Sequence, residues 1–257
     1  MKRKEEAILE EAYDESLGAG LHEEMAVLAN SRSASYSFLA NIFNQRPDNS
    51  LVQGIQELNT EDWLSSFSEE GFSGVMREGV LLIQNYVISI KDISPETVLL
   101  ELARDRTRLV RGIMKGYGPP PPYEFVYAGY KDAELLKEHT QARLSYAEAG
   151  VIVNEEVKNS PDFIGIELDF MRHLTQTEAQ AWEEDRFDEA CEMLRKQQAF
   201  LKDHLVTWVP RYCEEMFKEA NLDFYRGIAQ LTRGFVLEEN EKVSEYLGEA
   251  EMNKAIK

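Results

Sequence analysis

Few residues in this sequence have the types and spacing that catalysis needs. Asp169 and His173 stand four apart, so one helical turn brings them to a common face. No third ligand lies near them, and a structural pair or a partly exposed contact is expected there instead of a metal. Zinc-protease HExxH, phosphate-binding GxxxxGK and dinucleotide GxGxxG patterns are all missing. None of the four histidines has a glutamate three residues before it, which removes the di-iron carboxylate pattern. Gly71-Phe72-Ser73-Gly74 lacks the spacing of a nucleophile elbow. Cys191 and Cys213 are too far apart for a CxxC redox or zinc motif and read as buried free thiols. The expectation is no catalytic residue, no metal and no cofactor.

Two segments break local rules, and such segments are where binding is expected. The first runs from Gly116 to Glu124, where four consecutive prolines forbid helix and enforce an extended chain. It reads either as a rigid linker or as a stiff wall presenting Tyr117, Tyr123 and backbone carbonyls to a ligand. The second is Asn159 to Leu174, in which Ile164, Ile166, Leu168, Phe170, Met171 and Leu174 almost surround a helix. That helix should be central and buried. Glu167 shares a face with Phe163, Phe170, Met171 and Leu174, so its carboxylate must find a partner or meet a cost of several kcal/mol. Two readings stand: an internal Arg, Tyr or backbone N–H satisfies Glu167, or Asp162 and Glu167 together accept a guanidinium in bidentate fashion.

The elements that must position these residues are helical throughout, and the fold class is all-α. An acidic helix over 4–16 is expected to close at Gly18-Ala19-Gly20, followed by a long helix that stops before Arg46-Pro47. Shorter helices fill 49–90, anchored by Ile55, Leu58, Trp63 and Phe67. Ser94 and Pro95 form a helix start as N-cap and first residue, and that helix runs to about Lys115. Further helices are expected over 130–149, closed by Gly150, then over 162–175, 184–208, 210–219 and 221–246. Pro210 marks a break or a first turn, and Phe224, Ile228, Leu231 and Phe235 form one stripe on the last helix.

The 257 residues carry 28 Lys+Arg against 47 Asp+Glu, a net charge of −19. So acidic a surface repels nucleic acid and anionic lipid, and it suits a basic partner or simply solubility. Glu5, Glu6, Glu10 and Glu11 follow Met-Lys-Arg-Lys where a secretory leader would have an apolar stretch. No apolar run approaches the length of a membrane span. A cytoplasmic location follows as an expectation.

The rule-breaking segments, in this order, resemble the TorD/DmsD/NarJ family of molybdoenzyme maturation chaperones. Gly118-Pro-Pro-Pro-Pro-Tyr-Glu-Phe-Val-Tyr127 looks like its Pro-rich loop, and Ser160-Pro-Asp-Phe-Ile-Gly-Ile-Glu-Leu-Asp-Phe-Met171 looks like its E-P-D-H signature block. Phe200 to Pro210 resembles its F-x-x-x-H-L-x-x-W-x-P block, and Asp223-Phe-Tyr-Arg226 the start of its last helix. The match runs from about residue 100 to 236. It departs from the pattern at Phe163, where the family usually has His, and at Ser160, where Glu or Pro is common. The phenylalanine implies a more apolar pocket.

An acidic helical extension over 1–20 stands ahead of the matched core, as a lineage-specific addition or a second client contact, and the resemblance implies a chaperone domain over 21–257. Within that domain it implies an N-lobe of about 21–128 and a C-lobe of about 129–250, with a hinge near 158–163. It also implies a chaperone, not an enzyme, that holds an apo molybdopterin oxidoreductase catalytic subunit or its twin-arginine (Tat) leader until cofactor insertion. Pro161, Asp162, Phe163 and Glu167 would then bind the client together with Tyr117, Gly118, Tyr123, Glu124 and Tyr127 from the loop. Weak guanine-nucleotide binding, or a scaffold without leader binding, is the alternative. The identity of the client, and whether the chain is a monomer or a homodimer, stay open.

Overall fold

A computed structural model describes residues 2–58, 74–111, 116–127, 141–152 and 160–256, with side chains within these ranges from 20 to 252. Trp63, Phe67 and the 112–115 and 130–140 parts of two expected helices lie outside these residues. In chain order the helices are α1 (Lys2–Asn44), α2 (Asn49–Gln56), α3 (Gly74–Ser89), α4 (Pro95–Arg111) and the single turn α5 (Glu124–Tyr127). There follow α6 across 141–148, α7 (Ile164–Glu183), α8 (Phe187–Phe200), α9 (Val206–Glu219) and α10 (Asp223–Ile256). A π-turn, Leu201–Leu205, joins α8 to α9. Among the described residues no strand forms, and the all-α class is observed. No helix there is long and apolar enough to cross a membrane.

Several ends fall where local chemistry puts them. Ser94 accepts from the Thr97 and Val98 amides at the start of α4, with Pro95 as its first residue. Gly150, at φ 73°, ends α6. Two expectations fail. The Gly18–Gly20 break does not occur, and α1 is continuous through it. Each glycine weakens a helix by about 1 kcal/mol relative to alanine, a local cost too small by itself to stop one. Pro210 likewise ends nothing and sits inside α9. Its ring crowds the carbonyl of Val206, and the widened π-turn adjoins that position.

The helices share one connected core. α7 is its centre: Ile164, Leu168, Met171 and Leu174 are fully buried, with α1 and α8 packed against it. Each such side chain contributes about 1.5–3 kcal/mol when withdrawn from water. Arg106 of α4 donates to the carbonyls of Ile42 and Phe43, which satisfies the C-terminal end of α1. Asp105 accepts from the Asn221 and Leu222 amides, both at 2.9 Å, and so fastens α4 to the start of α10.

α3 and α10 cross at Gly79 and Gly227. A Cβ on Gly79 would lie 2.8 Å from the Gly227 carbonyl oxygen, and one on Gly227 would lie 2.6 Å from that of Gly79. Neither obstacle is a movable side chain. Gly227→Val should therefore destabilise the fold by at least about 2 kcal/mol, read from the denaturant midpoint. A variant as stable as the parent would mean that the helices separate here at little cost.

Candidate functional site

The two rule-breaking segments meet. Tyr123 and Phe163 form an isolated antiparallel β-bridge in which the Glu124 amide donates to the Asp162 carbonyl (3.0 Å). On its other side the Ile164 amide donates to the Pro122 carbonyl (3.1 Å). The prolines make this pairing possible, because a chain they hold extended offers carbonyls that no helix has claimed. Asp162 Oδ2 also accepts from the Phe125 amide at 3.3 Å, close to the start of α5. The Tyr123 and Phe163 rings pack with centroids 5.3 Å apart.

Gly118 fixes where the loop enters. Its φ is +141°, and its α-carbon lies so close to α4 that a Cβ would fall 2.4 Å from the Arg108 carbonyl oxygen. Tyr127, one turn beyond the loop, donates back to the Pro120 carbonyl at 2.8 Å. Tyr146 of α6 reaches the other segment and donates to the Pro161 carbonyl at 2.7 Å.

Beneath this seam lie three carboxylates that are wholly inaccessible to water: Glu124, Asp162 and Glu167. Glu167 Oε2 accepts from the Trp208 indole N–H at 3.1 Å, and Glu124 Oε2 is 3.0 Å from His204 Nδ1. The partner of Glu167 is thus an indole, in place of the Arg, Tyr or backbone N–H expected. Burial holds the Glu167 carboxyl well above the ordinary glutamate range, and the neighbouring Glu124 and Asp162 charges push it further. Burial, followed by the same three carboxyls, also raises the pKa of the Tyr146 phenol.

Of the residues singled out from the sequence, Tyr123, Glu124, Asp162, Phe163 and Glu167 come together in one cluster. Pro161 contributes its carbonyl to Tyr146, and Tyr127 stacks on Trp208 with centroids 5.9 Å apart. Gly118 anchors the loop from the side, and Tyr117 stands exposed at its start. Asp169 pairs with Arg172 (2.6 Å) on the outside of α7, away from this cluster. Sequence reasoning did not name His204, Trp208 or Tyr146 as site residues. His204 and Trp208 are four apart in the Phe200–Pro210 block, a spacing that puts two polar groups on one face of a helix. Tyr146 carried no signal. Among the described residues no group of three or more His, Cys, Asp or Glu is arranged to hold a metal.

Among the described residues, fold and seam together define an all-helical protein with a buried acidic cluster beneath an aromatic pair that joins two chain segments. A model of the nitrate reductase delta subunit family matches residues 70–214, a range that contains every residue of the seam. The chaperone protein TorD of Vibrio parahaemolyticus is 30% identical over 136 residues, covering 53% of this chain and 61% of that protein. TorD of Photobacterium profundum is 24% identical over 183 residues, 71% of this chain and 82% of that protein. TorD of Vibrio cholerae is 24% identical over 230 residues, 88% of this chain and 98% of that protein. The chain belongs to the nitrate reductase delta subunit family, the TorD/NarJ family of molybdoenzyme maturation chaperones. Membership makes it a chaperone of molybdoenzyme maturation and not an enzyme.

Proposed function

We propose that this chaperone binds the twin-arginine leader of a molybdopterin oxidoreductase catalytic subunit, its apo form, or both. It holds that client in the cytoplasm for cofactor insertion before export. The observation that carries the reading is the seam itself: an aromatic pair, Tyr123 and Phe163, closed over Glu124, Asp162 and Glu167. Carboxylates of that kind suit a guanidinium, and the net charge of −19 draws an arginine-rich segment towards the chain. Pro161 and the exposed Tyr117 would border the incoming peptide.

The seam joins residues from both proposed lobes, so movement about 158–163 would open and close it. In the same reading the 1–20 extension is a further client contact, and the working form is a monomer or a homodimer.

Calorimetric titration with a synthetic twin-arginine leader tests this. Binding in the micromolar range or tighter is expected, weakened at least about tenfold when both arginines become lysine. Equal affinity for the two peptides would remove the guanidinium from the recognition. A folded protein that binds neither would overturn leader binding and direct the search to the mature subunit.

A further inference from the structure

The outer face of α1 departs from the rest of the chain. Between Met25 and Gln45 the sequence carries a single charged residue, Arg32, and that one is buried. At the chain's overall share of 29% charged residues, a stretch of that length would hold about six. The positions turned outward are Val27, Asn30, Ser31, Ala34, Phe38 and Asn41, all exposed and all on one side of the helix. Two of them are large apolar side chains left in water, Val27 at 64% exposure and Phe38 at 40%. Charge depletion around exposed apolar anchors is the mark of an interface centre, not of a solvated face.

We propose that this face is the contact between two copies of the chain, with their α1 helices antiparallel about a two-fold axis that passes between Arg32 and Ser33. The residue pattern is self-complementary about that point, as a two-fold contact requires. Val27 of one copy meets Phe38 of the other at each end, and Ser31 meets Ala34 at the centre. The small central pairs let the helix axes approach to about 8 Å, and the larger pairs close the ends.

Charge selects both the face and the direction. Each copy carries −19, so two copies meet with least repulsion where neither presents charge. Glu23 and Glu24 stand exposed at one end of the face, and Arg46 stands exposed just past the other. An antiparallel pair sets the glutamates of one copy near the arginine of the other, whereas a parallel pair would set glutamate against glutamate. The edges are polar, as an interface rim is: Asn30 donates to Glu183 at 3.0 Å, and beside Ser33 the α7 residue Arg172 pairs with Asp169. The proposal gives the homodimer named above its contact face, and none of its residues belongs to the seam.

Sedimentation equilibrium on the full chain tests the contact. A dimer with a dissociation constant in the micromolar range or tighter is expected for the parent. Ala34→Glu brings two carboxylates together across the axis and should weaken the dimer at least about tenfold, with helix content by circular dichroism unchanged. Ser31→Glu, also at an exposed position, should do the same. A parent that stays monomeric at about 100 μM overturns the proposal and leaves leader recognition standing, since the calorimetric titration reads that separately. A dimer as tight in both glutamate variants as in the parent overturns it too.

Cysteine cross-linking reads the direction. Val27 and Phe38 are separated by about 16 Å along one helix, beyond disulfide reach within a single chain. The native Cys191 and Cys213 are buried and stay out of the reaction. Oxidising an equimolar mixture of Val27→Cys and Phe38→Cys chains should give a disulfide-linked dimer, and either variant alone should give almost none. Efficient linking of each variant to itself would mean parallel helices. No link in the mixture, with the parent a dimer, would put the contact on another face. Either result overturns the proposal.

Discussion

Replacing Arg32 by methionine is expected to destabilise the protein by about 3–5 kcal/mol, the cost of stranding buried carboxylates. Arg32 lies in α1 and is almost fully buried. Its Nε donates to both oxygens of Glu239 in α10, at 3.2 and 2.9 Å, and its Nη1 to Glu178 of α7 at 3.0 Å. Its Nη2 donates to Gln197 of α8. Gln197 and Trp182 in turn donate to Glu178, at 2.7 and 3.2 Å. One guanidinium therefore ties together four helices. Burial disfavours its charge, but Glu239 and Glu178 more than offset this and raise its pKa overall.

Methionine fills similar space and leaves two buried carboxylates without their cation. Thermal unfolding near neutral pH should fall by roughly 10 °C, given about 2–4 °C per kcal/mol for a chain of this size. The deficit should shrink towards acidic pH, because burial raises the pKa of Glu178 and its protonation removes one stranded charge. A loss below about 1 kcal/mol would mean that the network fixes helix register without adding stability, as some buried ion pairs do.

The second large effect is expected at the loop. Gly118→Ala meets two penalties at once: a backbone conformation that costs other residues about 1–3 kcal/mol, and a Cβ driven into the Arg108 carbonyl. That carbonyl belongs to α4 and cannot step aside. The loop should lift from α4, weakening the Tyr127–Pro120 hydrogen bond and the Tyr123–Phe163 bridge that follow it in the chain. Gly116→Ala is the control. Gly116 also has a positive φ, of 86°, but open space surrounds its Cβ position. The Gly118 variant should lose at least about 2 kcal/mol and the Gly116 variant about 1. Hydrogen exchange at the Glu124 and Ile164 amides would report whether the seam opens. Equal losses at the two glycines would show that the close approach to Arg108 carries no weight.

Much of the helical architecture was legible from neighbours in sequence. Pro47 and the Ser94–Pro95 pair act through their own backbone and the adjoining turn, and their helix boundaries fell where expected. The near-complete apolar girdle of α7 likewise announced a buried central helix. Gly18 and Gly20 misled because a glycine sets only a small local cost, and in α1 that cost is outweighed. Pro210 misled for a related reason: its ring is tolerated inside α9, next to the widened π-turn.

The candidate site divides along the same line. The sequence marked both segments of the seam as unusual, because four prolines and a carboxylate on an apolar helix face violate local preferences wherever they occur. Their union, which pairs Tyr123 with Phe163, was suggested only by resemblance. The partners of Glu167 and Glu124, Trp208 and His204, lie 41 and 80 residues away. Segment character, helix class and net charge are sums over nearby residues, so the sequence alone determines them. Which carboxylate meets which donor, and whether it keeps a proton there, depends on burial and on distances of about 3 Å. Only the packed tertiary structure sets those.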